Sequence, residues 1–433
     1  MLSDFKKVVK ENICSGCGAC SFIEPQAITI NKNKHGQLIP VIQTDLSKNK
    51  LQLLDKVCPF SSSSLDRKSN AKNEKKDIVG SYIEAYAGHV IESDFRVKGS
   101  SGGFGSWIFN ELLITGIVEA VIHVKETNKK DKLFEYSISK SPSEIREGAS
   151  SKYYPISLDE VLKFIKESDL TFAIMAVPCF VRAIRNLQQI DKTLASKIKI
   201  VGSIYCGHLK TENYSYYIAD SIKYNHGDLH KINFRLKAKD KLSSNYKTEI
   251  TTSKGTFSAF RQSIKGTNWG LGLFKYKSCD FCEDVSGDLA DFSVGDAWLP
   301  KYEADDLGTN LIVIRNPIIY KILTSAGDRI RLDKLSEKDL FTSQAGGYRH
   351  KREGIHVRNK LLQLKSGFKI KPHYQKETSI GLLRTILYIL RVVIRNYSNI
   401  YPYARKTKIG FRLYEYGISM FSKIHGFLTK ASN

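Results

Sequence analysis

The sequence predicts an α/β protein of mixed strand order. It reads as a cysteine-bearing N-terminal module, a larger mixed-sheet body and a basic, largely helical C-terminal extension. Four cysteines fall within residues 1–62 at tight spacing, apolar runs of strand length alternate with helical patterns over 78–340, and basic charge concentrates over 341–433. At 433 residues the chain is longer than one hydrophobic core usually organises.

The module comes first. Cys14-Ser-Gly-Cys17-Gly-Ala-Cys20 places three thiols in one tight loop, with Gly16 and Gly18 letting the backbone curl around a cluster. Two-cluster bacterial ferredoxins continue with three residues and a Cys-Pro whose cysteine serves the partner cluster. Here Glu24-Pro25 stands at that place, whereas Cys58-Pro59 is kept with no C-x2-C-x2-C before it. The expectation is a ferredoxin-type domain with one 4Fe-4S cluster on Cys14, Cys17, Cys20 and Cys58. Tetrahedral zinc is the alternative, but successive x2 gaps with a remote Cys-Pro favour iron-sulfur.

Residues 63–77 belong to a stretch rich in Ser, Lys, Asn and Asp that reads as a linker. In the body, the runs 85–90, 118–124, 172–177, 198–204 and 311–315 read as buried strands, and 104–113, 158–168 and 180–189 as helices. Hydrophobic residues at 42% and charged residues at 26% exclude a mainly disordered or fibrous chain. Residues 1–7 lead into the cysteine motif without the basic-then-apolar layout of a secretory leader, so a cytoplasmic protein is expected. In that reducing compartment eight cysteines are metal ligands or catalytic thiols rather than disulfides.

The second four cysteines are Cys179 in Val-Pro-Cys-Phe, Cys206 in Tyr-Cys-Gly-His, and the Cys279-Asp-Phe-Cys282 pair. Cys179 and Cys206 each follow a strand-like run, so both can emerge at one sheet edge, where the C-x2-C loop could close a second site. Spacing leaves other readings open: a redox thiol, a buried structural cysteine, a dithiol or half a zinc site. The loop Gly99-Ser-Ser-Gly-Gly-Phe-Gly105 opens a helical stretch with Arg96 and Lys98 upstream. It reads either as a phosphate or pyrophosphate cradle or as a plain flexible turn, and it matches neither the dinucleotide nor the Walker pattern.

The formal charge of +23 is uneven: 18 Lys+Arg and 3 Asp+Glu fall from Ala345 onward, so +15 sits there. That tail carries no recognised nucleic-acid-reading motif, so nucleic acid is not an expected partner. Over 379–396, Arg384, Arg391 and Arg395 share one face of an otherwise apolar helix. Too interrupted to span, the helix fits an interfacial position on an anionic leaflet, with packing on the body as the alternative. Aromatics at 397–403 with Lys406, Lys408 and Arg412 tilt the reading toward a membrane surface and a peripheral location.

Several segments together resemble the coenzyme F-420 hydrogenase/dehydrogenase beta-subunit family. They are Ser100-Ser-Gly-Gly103, Gly148-Ala-Ser-Ser-Lys-Tyr-Tyr154, Val177-Pro-Cys-Phe180, Ile204-Tyr-Cys-Gly-His208, Ile232-Asn-Phe-Arg235, Lys277-Ser-Cys-Asp-Phe-Cys282, Ala290-Asp-Phe-Ser-Val-Gly-Asp-Ala-Trp298 and Leu307-Gly-Thr-Asn-Leu-Ile-Val-Ile-Arg315. The resemblance implies an FAD-containing body with its own 4Fe-4S cluster on Cys179, Cys206, Cys279 and Cys282. It implies Ser101, Gly102, Gly103, Ser151, Lys152, Tyr153, Asn233 and Arg235 as flavin neighbours, supported by Asp296 and Trp298. Lys152 and Arg235 would favour anionic reduced flavin. His208 is a candidate proton donor, with a hydrogen-bonded structural histidine as the equal alternative. Val177 and Phe180 stand where the family commonly has Thr and Gln. With its basic tail extending beyond the core, the sequence resembles members from polysaccharide gene clusters, which have no evident deazaflavin partner, and this argues against binding of the deazaflavin coenzyme F-420 itself. The implied activity is an oxidoreductase passing electrons from a ferredoxin or another redox protein through two clusters to FAD and an unidentified substrate. Its rival is a non-catalytic electron-transfer subunit.

Overall fold

The computed structural model describes residues 3–66, 78–129, 131–374 and 379–432. Most of the predicted linker, residues 67–77, lies outside them. The N-terminal module has helices Asp4–Lys10 and Ala19–Ile23, a hairpin of β1 (Ile28–Lys32) and β2 (Leu38–Ile42), and helix Lys48–Val57. Ser3 and Ser47 cap the first and last of these helices, each accepting an N–H from three residues on.

The body is built on β3 (Glu84–Val90), β4 (Ala120–Lys129), β5 (Lys132–Ser139), β6 (Phe172–Ala176), β7 (Ile198–Ile204), β8 (Leu229–Leu236), β9 (Lys247–Thr252), β10 (Gly255–Phe260), β11 (Phe292–Asp296), β12 (Asn310–Ile314) and β13 (Ile330–Lys334). Eight of these form a mixed sheet in the order β13-β3-β12-β11-β7-β6-β4-β5, and β10-β9-β8 form an antiparallel sheet. The five strand runs expected from sequence are β3, β4, β6, β7 and β12. The three expected helices are Phe104–Ile114, Asp159–Glu167 and Pro178–Ile190. Strands β5, β8, β9, β10, β11 and β13 were not expected, because polar residues and glycines break their apolar runs.

Strands β4, β6, β7 and β11 are parallel neighbours at the sheet centre. Their paired residues at 120–122, 172–174, 200–203 and 292–294 are buried, as parallel pairing requires. All four end at the same edge, so the segments after β6, β7 and β11 converge there.

The module shares its core with the body. Val8, Ile13, Cys17, Val57 and Phe60 pack in one cluster with Leu162, Ile174, Phe180 and Val201. Leu158 N–H donates to Cys17 O at 3.0 Å and Leu38 N–H to Tyr276 Oη at 2.9 Å.

Residues 63–66 correct the linker reading, because they are docked. Ser64 and Asp66 are fully buried, and Asn186 on helix Pro178–Ile190 holds Val57 O, Ser64 Oγ and the Asp66 N–H. Arg182 on the same helix contacts Asp66 (2.5 Å), Asp288 (2.8 Å) and Asp284 (3.3 Å). Burial alone would raise the pKa of Asp66, but the His373 hydrogen bond and the Arg182 charge outweigh it and hold the carboxyl below its ordinary range.

The extension is helical: Glu337–Tyr348, a π-helical turn Arg349–Glu353, Gly354–Ser366, Leu382–Tyr397 and Lys408–Ser432. Here the structure decides which face of the arginine-bearing helix turns outward. Arg384, Arg391 and Arg395 do share a face, but it faces the protein: Arg384 binds Glu353 at 2.7 Å, Arg391 reaches His350 and His425, and Arg395 pairs with Asp280. Carboxylates and imidazoles on the body satisfy the guanidinium groups that would otherwise seek lipid headgroups. Among the described residues, no helix is long and apolar enough to cross a membrane.

Replacing Arg182 with Met strands three buried carboxylates. The expected cost is about 3–5 kcal/mol, measured as a drop in the urea unfolding midpoint; an unchanged midpoint would remove the anchoring role.

Candidate functional site

The first cysteine set lies where the module meets the body. Gly16 (φ +73°) and Gly18 (φ +84°) are left-handed, and an added Cβ would sit 2.7 Å from Leu38 O and 2.4 Å from Ser157 Oγ respectively. Only glycine lets the loop turn there. Cys20 rides on helix Ala19–Ile23, and Cys58 caps helix Lys48–Val57. The four thiols are close enough that Cys14, Cys17 and Cys58 all raise the pKa of Cys20, after burial. Burial pushes Cys14 up to about 12, although the Gly16 N–H points at its Sγ from 3.2 Å. Glu24, at the missing-ligand position, pairs with Lys50 at 2.6 Å.

The second set forms at the common strand edge. Cys179 is in the first turn of helix Pro178–Ile190, just after β6, and Cys206 follows β7. Cys279 and Cys282 lie on the turn Lys277–Phe281 and at its end. Cys282, Cys206 and Cys279 each raise the pKa of Cys179, after burial. Burial likewise pushes Cys206 up to about 12 and Cys279 to about 11. The Leu209 N–H donates to Cys279 Sγ at 3.2 Å, and Lys351 Nζ reaches Cys282 Sγ at 3.6 Å and Asp284 O at 2.5 Å. Lys351 and Arg358 come from the extension and are buried, as are Lys210 and Lys275. Asp280 pairs with Lys275 and Arg395 and draws in Arg358.

This chemistry fits iron-sulfur clusters. Thiols buried beyond the reach of water stay protonated unless a cation replaces the proton, and N–H and ammonium donors aimed at sulfur stabilise bound thiolate. The surplus of buried cations beside the second set suits an anionic cluster. Among the described residues, no three His, Cys, Asp or Glu converge as a single metal ion would need.

The two sets adjoin. Cys17 and Cys179 share one core cluster, Cys17 is the last of the groups that raise the pKa of Cys179, and Tyr136 on β5 feels both, Cys179 more strongly. On the far side of the second set, His208 stacks on Trp269 (4.5 Å, 18°), Trp269 meets Tyr153 at 4.8 Å, and Tyr153 meets Phe234 at 5.2 Å.

Beyond these rings opens a cleft of about 340 Å³, lined by Ser151, Lys152, Asn233 and Arg235 from the expected flavin neighbours, by Lys98 from just upstream of the glycine loop, and by Arg146 and Lys237, which were not foreseen. Its carboxylates are Glu126 and Glu147, so the lining is net cationic. Asp296 grips Arg235 with two hydrogen bonds of 2.7 and 3.2 Å, while Arg235 Nε is buried without a partner. That orphan donor and the cationic wall fit the pyrophosphate of FAD.

Other expected residues do not line the cleft. Gly102 lies against Gly88 O and Asn310, where a Cβ would be 2.5 Å from that oxygen, and the first-turn N–H of Phe104 is taken by Asn310 Oδ1 at 3.1 Å. Ser101 Oγ donates to Thr309 O. The glycine loop is therefore stitched to β3 and β12, and Ser100 ties it to Ser150 and Ser151. Lys152 Nζ donates to the carbonyls of Gly148, Ala149 and Ser150, and burial lowers its pKa to about 8. His208 is away from the cleft. Burial, then Lys210 and Lys275, keep its imidazole neutral, and its Nε2 has no hydrogen-bond partner. Trp298 has its N–H on Asp296 O at 3.1 Å.

Sequence reasoning missed Lys351, Tyr136 and Trp269. Lys351 sits in the run Arg349-His-Lys-Arg352, where nothing local separates a buried ammonium from solvated ones.

Two models of the coenzyme F420 hydrogenase/dehydrogenase beta subunit match the chain: that of its N-terminal part over residues 85–163, and that of its C terminus over 169–338. Together they take in more than half of the chain, leaving the first cysteine set and Lys351 outside. A Methanocaldococcus jannaschii protein described as uncharacterized is 24% identical over 243 residues, 55% of this chain and 82% of that one. The coenzyme F420-dependent sulfite reductase of the same organism is 23% identical over 325 residues, covering 71% of this chain. The match takes in 45% of the reductase, so the chain spans less than half of that relative. Among solved structures, a chain of the F420-reducing NiFe hydrogenase complex from Methanosarcina barkeri has the same fold, at 16% identity and a TM-score of 0.50. That match covers 69% of this chain and 99% of that one. On these two family matches, the chain belongs to the coenzyme F420 hydrogenase/dehydrogenase beta-subunit family.

Proposed function

We propose that the chain is an iron-sulfur flavoprotein oxidoreductase that accepts electrons from a ferredoxin or similar redox protein at its N-terminal module and delivers them at the cleft beside Arg235. The observation that carries this reading is that Cys17 of the first set and Cys179 of the second pack in one hydrophobic core, with Cys58 and Cys282 against it, in a body that also holds a cationic cleft. Two 4Fe-4S clusters and FAD, bound there, would supply one-electron carriage and two-electron chemistry.

The chain's own residues do the rest. Cys14, Cys17, Cys20 and Cys58 would hold one cluster, and Cys179, Cys206, Cys279 and Cys282 the other. Lys351 places a buried positive charge against the second set. Arg235, clamped by Asp296, presents Nε to a phosphate, and Lys152 closes the loop 148–150 that walls the cleft. His208, neutral and stacked on Trp269, excludes water between the second set and the cleft. A cytoplasmic location suits reduced thiols. A glycan precursor is the acceptor class to test first, on the resemblance alone, and the deazaflavin coenzyme is not part of the proposal.

One observation favours the rival relay role: the sulfite reductase relative is more than twice the matched length, so the chain's part there is one portion of a larger enzyme. Turnover of an acceptor by the isolated chain with an artificial donor separates the two.

Anaerobically purified protein is expected to hold about eight irons and one FAD per chain, as two 4Fe-4S clusters require. Cys17→Ser and Cys179→Ser are each expected to lower the iron to about four, and zinc in place of iron would sink the reading. Lys351→Met is expected to keep the iron but move one cluster's midpoint to more negative potential, by roughly the 59 mV that marks a tenfold change for one electron. A cation favours the more negative reduced state, so its loss disfavours reduction; EPR-monitored redox titration reads the shift. FAD affinity of the flavin-stripped protein should fall about fivefold as pH rises through about 8, where Lys152 loses its charge. Lys152→Met should flatten that profile.

A further inference from the structure

The last two helices of the extension present their apolar faces to solvent. On helix Leu382–Tyr397 the exposed residues Leu382, Ile386, Ile389 and Val393 repeat every three to four positions. The opposite face, with Arg384, Leu387, Arg391, Ile394 and Arg395, is turned inward. Helix Lys408–Ser432 repeats the pattern: Ile409, Leu413, Tyr416, Met420, Ile424 and Phe427 form one exposed stripe, with Ile409 at 74% and Phe427 at 70% of full exposure. Its inner side packs Phe411, Tyr414, Ile418, His425 and Leu428.

The two helices pack against each other. Tyr397 stacks on Tyr414 at 4.9 Å, Arg391 Nε donates to His425 Nε2, and Arg384 Nε donates to Ser432 O. A helix on a water-soluble surface keeps its polar side out. Here Arg384, Arg391 and Arg395 are spent on the body, and leucines, isoleucines and a phenylalanine face outward along both helices.

Charge identifies the occupant. Arg412, Lys423 and Lys430 are exposed and fall on one margin of the second stripe, and Lys406 and Lys408 are exposed at the corner joining the helices. Glu415 is the sole acidic residue of helix Lys408–Ser432; it faces Lys265, 3.9 Å away, and away from the stripe. Apolar residues bordered by a basic row, with Tyr403 and Tyr416 exposed among them, are the make-up of a helix that lies in a lipid headgroup layer. We infer that the outward face of the helix pair Leu382–Tyr397 and Lys408–Ser432 seats the protein on an anionic lipid surface, apolar stripe in the acyl boundary and basic row on the headgroups. This docking is independent of the redox reading.

The test is co-sedimentation of the full chain, with whatever cofactors it retains, with phosphatidylcholine vesicles with and without phosphatidylglycerol. Binding is expected to the anionic vesicles, to weaken with salt, and to fall on the order of a hundredfold in the Arg412→Gln, Lys423→Gln, Lys430→Gln variant, at roughly a factor of five per basic residue. The Leu413→Ser, Met420→Ser, Phe427→Ser variant should lose binding while keeping its thermal unfolding midpoint, because these side chains touch solvent. Two results overturn the inference: no difference between the vesicle types, or a wild-type chain that ignores anionic vesicles and runs as a dimer or with a protein partner that the serine variant releases.

Discussion

Parallel pairing of β6 with β7 is the constraint on which the rest of the site depends. Phe172 to Ala176 pair in parallel with Ile198 to Ser203, both strands buried, so neither can slip without exposing its apolar set. Parallel neighbours end at the same edge. Pro178-Cys179 and Tyr205-Cys206 must therefore emerge side by side, and β11, parallel to β7 on its other side, adds Asp296 to the same edge. The C-x2-C turn closes the set from the remaining side.

Around that edge, charge rather than packing sets the character of the protein. Lys210, Lys275, Lys351 and Arg358 are buried with few carboxylates to answer them. Such charge is costly in a dry interior unless an anion is present. Asp280 meets part of the demand, and four thiolates on a cluster would meet the rest. A separate network of the opposite balance, Arg182 among Asp66, Asp284 and Asp288, ties the end of the N-terminal module to the helix that carries Cys179. Module and body are thus clamped within reach of both cysteine sets, and Cys17 and Cys179 can lie in one core.

The extension joins the site to the outer surface. Its π-helical turn brings Lys351 to Cys282, and helix Leu382–Tyr397 brings Arg395 to Asp280, so helices outside the family-matched region complete the surroundings of the second set. The polar faces of those helices are used inward. What remains outward on the last two helices is an apolar stripe bordered by Arg412, Lys423 and Lys430.

The sequence by itself determined the fold class, the five apolar strands and the two cysteine groups, because hydrophobic period and ligand spacing are local properties written in neighbouring residues. It allowed Cys179 and Cys206 to emerge at one edge, but the parallel pairing of β6 with β7 that puts them there is a tertiary fact. It could not decide which face of an arginine-bearing helix turns inward, which depends on Glu353, His350 and Asp280 lying opposite. Nor could it tell that Gly102 is small to clear Gly88 rather than to admit a phosphate, or that Lys351 is buried among sulfurs. Those are contacts between residues distant in sequence, and only the closed tertiary structure sets them.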